Sequence, residues 1–182
     1  MTPEEFRIAG HQLIDWIADY RLNLATGPVK ADVVPGQVSD QFESTLDPEP
    51  HPFPELLDEL QRVVVPGVMQ VQHPMHFGWF PANATLSSVL GDIASSGIGS
   101  LSLSWESSPA STEVESVVVD WLRQETGLSA AWSGTIHDTA STSCLVALLA
   151  ARERVSDHAQ AAGGLQGLAS PLVVYTLSLI HI

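Results

Sequence analysis

The spacing of the apolar residues most constrains the fold of this chain. This spacing is typical of a helix in five segments and of a strand in only two short segments. Apolar residues recur at helical spacing from Phe6 to Leu24 and again in four later segments. The two strand candidates are residues 134–137 and 171–176, with a helix at about 139–162 between them. This order predicts a mostly α-helical chain that ends in the beginning of an α/β domain, because one complete strand cannot form a sheet.

Local signals predict where the first two helices begin and end. Thr2, Pro3 and Glu5 form a capping-box start for the first helix. A second helix is expected from Pro54 to about 66–67. The residues between Thr26 and Phe53 are rich in Gly, Pro, Asp and Ser, and such a long irregular connection is unusual inside a compact domain. We expect it to cross a surface of this subunit or of another one.

The later helices carry apolar stripes that we expect to be buried. A helix rich in Gly, Ala and Ser, which suits close packing against another helix, is expected at 86–98. A helix with an apolar stripe begins at Ser108-Pro109 and closes at Gly127. The stripe of the helix that begins at Ser108 consists of Val114, Val117, Val118, Trp121 and Leu122. The single cysteine, Cys144, lies in an apolar helical run and is expected to be a buried structural thiol.

Charge and composition exclude several classes of function. The chain has 182 residues, with 7 Lys plus Arg against 21 Asp plus Glu, and a formal net charge of −14. Nucleic acids and anionic membranes require clustered basic residues, so neither is expected as a partner. One cysteine excludes an internal disulfide, and no signal peptide or membrane-spanning run is visible, so a cytoplasmic location is expected.

Two segments are candidates for chemistry. Residues 138–143 place hydroxyl groups at the start of a helix, which suits either a phosphate site or ordinary helix capping. The segment 73–81 is aromatic and bounded by Pro74 and Pro81, which suits the lining of an apolar pocket or simple packing. Its two histidines lack a third ligand at metal-site spacing, so no metal is expected.

A series of short motifs follows along the chain in a specific order. They occupy residues 2–6, 10–15, 34–36, 66–68, 73–81, 104–109, 112–115, 120–122, 138–141 and 145–152. In this order they resemble the N-terminal part of the group II pyridoxal-phosphate-dependent amino-acid decarboxylases, most closely the bacterial aromatic-L-amino-acid decarboxylases. The resemblance covers essentially residues 1–176.

The resemblance implies a fold, a cofactor and site residues. The parent would have the α/β fold type I of pyridoxal-phosphate enzymes and would be an obligate homodimer whose N-terminal helices wrap over the partner subunit. Residues matching the family's phosphate loop for pyridoxal 5'-phosphate are Thr139, Ala140 and Ser141. Residues matching the family's substrate pocket are Trp79, Phe80, Pro81, Leu101 and Leu103, the last two reaching the neighbouring subunit's site.

The resemblance also divides the chain. Residues 1–85 match the dimerisation segment, and residues 86–176 match the truncated beginning of the large cofactor-binding domain. Residues 177–182 resemble the translation of a transposon end used in sequencing libraries, and we expect them to be foreign to the protein.

The function that the resemblance implies is decarboxylation of an aromatic L-amino acid to an amine and CO2. In the family the cofactor-binding lysine lies C-terminal to these motifs, and the single lysine here, Lys30, does not match it. The resemblance therefore implies no catalytic residue within the chain and no activity of residues 1–182 alone. Two alternatives stay open: a decarboxylase of glutamate or sulfinic-acid type, and a non-enzymatic acidic helical dimerisation module.

Overall fold

The computed structural model of the protein describes residues 1–45, 48–79, 85–168 and 170–175. The chain divides into two compact units, Met1–Ala94 and Ser95–Ile182. The α-helices of the described residues are α1 (Pro3–Asn23), α2 (Phe53–Glu59), α3 (Leu86–Ile98), α4 (Pro109–Glu125) and α5 (Ala140–Val155). Single helical turns of other types are a π turn at Leu60–Val64 and 3₁₀ turns at Leu24–Thr26, Ser39–Gln41, Val65–Gly67 and Leu165–Gly167.

Helix α1 begins with the capping box that the sequence predicts. The backbone N–H of Glu5 donates to Thr2 Oγ1 at 3.2 Å, and the Glu5 carboxylate accepts from the backbone N–H of Thr2 at 2.6 Å. These two bonds satisfy backbone donors that a helix start otherwise leaves without partners. The predicted N-terminal boundary of α1 is confirmed.

The first unit is held together by contacts between α1 and the segment that follows α2. The indole of Trp16 donates to Gln61 Oε1 at 2.9 Å, and the hydroxyl of Tyr20 bonds to the side chain of Gln70. Val63, in the π turn, is only 1% exposed. The predicted second helix is therefore a succession of α, π and 3₁₀ turns, and it ends with the 3₁₀ turn Val65–Gly67, as expected from the sequence.

The two predicted strands are wrong for the described residues. Residues 132–137 and 171–175 have no regular secondary structure, and no strand occurs anywhere in the described ranges. A strand is defined by ladder hydrogen bonds to a neighbouring strand, and neither segment has such a neighbour among the described residues. Residue 176 lies outside them.

Helix α5 is shorter than predicted, because it ends at Val155 rather than near residue 162. Asp157 and His158 follow with φ angles of 52° and 63°, which lie in the left-handed region. The N–H of His158 donates to the Glu153 carbonyl at 2.8 Å and closes the end of the helix.

The expected burial of the apolar helix faces is also wrong. The buried apolar residues of the described chain are Ala9, Val63 and Ala159. On α4, Val114, Val117, Trp121 and Leu122 are all exposed, and Cys144 on α5 is exposed as well. Periodicity identifies which side of a helix is apolar, but burial also requires a partner surface, and these faces have none in the described chain.

Candidate functional site

The turn that begins α5 carries the residues expected to bind phosphate. Thr139 is the N-cap, and its Oγ1 accepts from the N–H of Thr142 at 3.2 Å. The N–H groups of Ala140 and Ser141 lie in the first turn, where a helix offers no backbone acceptor. These donors, the exposed Ser141 hydroxyl and the positive end of the helix dipole form a donor set that fits a phosphate group.

Asp138 places a negative charge directly before this turn. The Thr142 hydroxyl bonds to its carboxylate and holds the pKa of Asp138 below its usual value. No lysine or arginine occurs between residues 134 and 145. A phosphate in this turn would therefore depend on N–H and hydroxyl donors and not on a side-chain cation of the same segment.

The carboxylate of Glu115 on α4 holds the segment that leads into the turn. Its Oε1 accepts from the backbone N–H of Ile136 at 2.8 Å and from the Thr135 hydroxyl at 2.8 Å. The bond from Ile136 and the bond from Thr135 lower the pKa of Glu115. The sequence does not by itself distinguish Glu115 as a site residue, although Glu115 lies in the motif at residues 112–115.

Ser111, one turn before Glu115 on α4, holds a second loop. Its hydroxyl accepts from Ser102 Oγ at 2.9 Å and lies 3.3 Å from Ser100 Oγ. These serines alternate with Leu101 and Leu103, whose side chains are 63% and 82% exposed. The loop thus presents both leucines outward, where they can contact another molecule.

One face of α4 supports both segments. Ser111, Glu115 and Val119 follow one another at intervals of four residues and therefore lie on the same side of the helix. Gly134 packs against Val119 so closely that a Cβ atom built on the glycine would lie 3.2 Å from Val119 Cγ1. The loop with Leu101 and Leu103 and the segment before Thr139 are therefore anchored to the same surface of the second unit.

The loop at residues 73–79 belongs to the first unit and is ordered by its own backbone. The N–H of His76 donates to the His73 carbonyl at 2.9 Å, and the N–H of Met75 donates to His73 Nδ1 at 2.9 Å. The Trp79 indole is 69% exposed, with its ring centroid 6.1 Å from that of His76. Phe80 and Pro81, expected in the same pocket, lie outside the described residues.

His73 and His76 do not form the beginning of a metal site in the described chain. His73 is 8% exposed, and the Nε2 atoms of both histidines are buried without a hydrogen-bond partner among the described residues. Within the same ranges, no group of three or more His, Cys, Asp or Glu side chains could hold a metal ion.

The first unit contains a cavity that the sequence does not predict. It has a volume of about 420 Å³ and lies between the C-terminal half of α1 and the segment at 65–70. Lys30 lines it together with the stacked rings of Trp16 and Tyr20, whose centroids are 5.5 Å apart. Such a cavity depends on how distant segments pack, and no single motif in the sequence indicates it.

The predicted site residues thus fall into two groups. Trp79 lies in the first unit, whereas Leu101, Leu103 and the turn at 139–141 lie in the second unit. Each unit is internally ordered by the contacts described above.

Within the described ranges, none of the helices has the combined length and apolar character that a membrane span requires.

Comparison with known proteins identifies relatives along most of the chain. Residues 35–182 match the pyridoxal-dependent decarboxylase conserved domain. The aromatic-L-amino-acid decarboxylase of Bos taurus is 36% identical over 170 residues, which cover 89% of this chain and 35% of the relative. The chain therefore spans about a third of the length of that relative.

Solved structures agree with this match. The tryptophan decarboxylase of Catharanthus roseus in complex with L-tryptophan superimposes with a TM-score of 0.80 and 34% identity, covering 86% of this chain and 35% of that one. Oryza sativa TDC with PLP and tryptamine superimposes with a TM-score of 0.79 and 27% identity, covering 91% and 37%. These relatives come from a mammal and from plants, and the expected closeness to bacterial enzymes stays a prediction.

Proposed function

The chain belongs to the pyridoxal-dependent decarboxylase family, and we propose that it is part of an enzyme that converts an aromatic L-amino acid to an amine and CO2. The observation that carries the proposal is the family match over residues 35–182. It is supported by relatives that are named aromatic-L-amino-acid decarboxylase and tryptophan decarboxylase. The whole enzyme would have the α/β fold type I, form a homodimer and work in the cytoplasm on a small-molecule substrate.

In this proposal the turn before α5 holds the phosphate of pyridoxal 5'-phosphate. Thr139, Ala140 and Ser141 would bind it through the hydroxyl and N–H donors described above. The bound cofactor supplies an electron sink for the negative charge left at the carbon that loses CO2. The role of this chain is to fix the phosphate and hence the position of the cofactor ring.

The substrate side chain would be recognised by two exposed apolar elements. Trp79 offers an exposed aromatic surface, and Phe80 and Pro81 follow it in the sequence. Leu101 and Leu103 offer exposed aliphatic surfaces, which the resemblance assigns to the neighbouring subunit's site. Burial of an aromatic side chain against such groups stabilises the complex by removing apolar surface from water. None of these residues carries a cation that would favour an acidic substrate such as glutamate.

The test is an activity assay of the full-length protein with pyridoxal 5'-phosphate and, separately, L-tryptophan, L-tyrosine and L-glutamate. We expect amine and CO2 from at least one aromatic amino acid and none from L-glutamate. Amine formation from glutamate alone would support the alternative decarboxylase type, and no amine from any substrate would contradict the proposal.

The 182-residue chain serves as a second arm of the same assay. Its single lysine, Lys30, lines the cavity of the first unit and does not match the family's cofactor-binding lysine. We therefore expect no amine from residues 1–182, and measurable product would show that a residue of this chain replaces the family's lysine.

A further inference from the structure

We propose that Glu115 is a positioning residue for the cofactor phosphate, acting through the segment that leads into the turn at 139–141. This inference rests on the proposed function, because it assumes that the turn binds pyridoxal 5'-phosphate. Glu115 does not contact the turn itself. It holds Thr135 and Ile136, which lie four and three residues before the N-cap Thr139.

The contact is specific because a single carboxylate oxygen accepts both bonds. Glu115 Oε1 accepts from the main-chain N–H of Ile136 and from the Thr135 side chain. Residues 134–137 have no strand neighbour among the described residues, so the carboxylate takes the place of a ladder partner for the Ile136 N–H. An ionised acceptor makes a stronger bond than a neutral carbonyl.

The segment is fixed at both of its ends. On one side Gly134 packs against Val119, where there is no room for a side chain without displacing the valine. On the other side the Thr139 carbonyl accepts from the N–H of Ser143 and starts α5. Between these points the Glu115 bonds link the segment to α4, so we infer that they set the position of the donors that face a phosphate.

Three variants of the full-length protein test the proposal. Glu115→Ala removes both acceptor bonds, Glu115→Gln keeps an oxygen that can accept both, and Glu125→Ala removes an exposed carboxylate from the same helix as a matched control. Two quantities are measured: the Kd for pyridoxal 5'-phosphate by absorbance titration of the cofactor-stripped protein, and hydrogen exchange of the Ile136 amide.

We expect Glu115→Ala to raise the Kd by about fivefold to tenfold, which corresponds to the loss of one or two accessible hydrogen bonds. Exchange at Ile136 should accelerate in the same variant. Glu115→Gln should stay within about twofold of the wild-type Kd, because its amide oxygen replaces Oε1. Glu125→Ala should change neither quantity.

Several outcomes would overturn the inference. In Glu115→Ala, the Ile136 amide could exchange faster while the Kd for pyridoxal 5'-phosphate stays unchanged. That result would show that the Glu115 contact orders the segment but does not position the phosphate. If that variant does not fold, Thr135→Val removes only the hydroxyl bond and should raise the Kd by about twofold to threefold; an unchanged Kd contradicts the proposal. A wild-type protein that binds no cofactor would instead overturn the proposed function, before any variant is compared.

Discussion

The hydroxyl of Thr139 has two possible uses at the start of α5. Its oxygen accepts from the N–H of Thr142, and it lies 3.1 Å from Thr142 Oγ1. A threonine hydroxyl has one proton and two acceptor lone pairs, so capping the helix uses only a lone pair. Because the Thr142 hydroxyl donates to Asp138, the Thr139 hydroxyl donates to Thr142 Oγ1, and its proton would turn from there to reach a phosphate. Helix capping and phosphate binding are therefore compatible at this residue, and the two interpretations of the sequence do not exclude each other.

Cys144 gives a prediction at the same scale. Its side chain is exposed on α5, contrary to the expectation of a buried structural thiol. In the 182-residue chain we expect the thiol to react with Ellman's reagent at a rate within about tenfold of a small free thiol, because accessibility limits such reactions.

The comparison for this prediction is the full-length protein under the same conditions. A much slower reaction there would show that another part of the protein covers α5. Equally slow reaction in both proteins would contradict the exposure seen in the structure.

At the scale of elements, α4 ends in a well-defined Schellman motif. The N–H of Gly127 donates to the Gln124 carbonyl at 3.0 Å, and the N–H of Leu128 donates to the Arg123 carbonyl at 3.0 Å. Gly127 has a φ of 73°, which only glycine adopts without strain. The sequence predicts this end correctly, because the signal is local.

We expect Gly127→Ala to destabilise the end of α4 by about 1 kcal/mol, because alanine is strained at positive φ. Hydrogen exchange of the amides at 124–128 and the thermal midpoint of the full-length protein measure the effect. Gly10→Ala is the matched control: Gly10 lies inside α1 with no atom within 4 Å of an added Cβ, so this change should be neutral or stabilising. Equal loss in both variants would show that φ is not the cause.

The elements that could be predicted from sequence are those that depend on neighbouring residues. The capping residues Thr2 and Thr139 and the glycine at 127 identify helix ends through bonds that reach only a few positions along the chain. The predicted strand at 171–176 and the predicted burial of the α4 stripe depend instead on surfaces that would pack against them. No local sequence pattern contains that information. The Glu115 contact escaped prediction for the same reason, because it joins residues 20 and 21 positions apart.

At the scale of the whole molecule, many large apolar side chains of the described residues are exposed. Exposed side chains include Trp121 and Leu122 on α4 and Leu145 and Leu148 on α5. Contiguous exposed apolar side chains mark surfaces that contact another protein or another part of the same protein.

We therefore expect the 182-residue chain to bind the dye ANS with a severalfold rise in fluorescence and to self-associate in sedimentation experiments, since its apolar faces are uncovered. The full-length protein should bind no ANS and should sediment as a discrete homodimer. A monodisperse 182-residue chain without dye binding would contradict this prediction and would favour the alternative of a self-contained dimerisation module.

The shared face of α4 has a consequence for insertions and deletions. Ser111, Glu115 and Val119 act together only because successive contacts are spaced by about one helical turn. One residue inserted between Ser111 and Glu115 would rotate the later contacts by about 100° and shift them by about 1.5 Å relative to the earlier one. The loop with Leu101 and Leu103 and the segment before Thr139 would then no longer be anchored to the same face of α4. The length of this stretch is therefore as constrained as the identity of its residues.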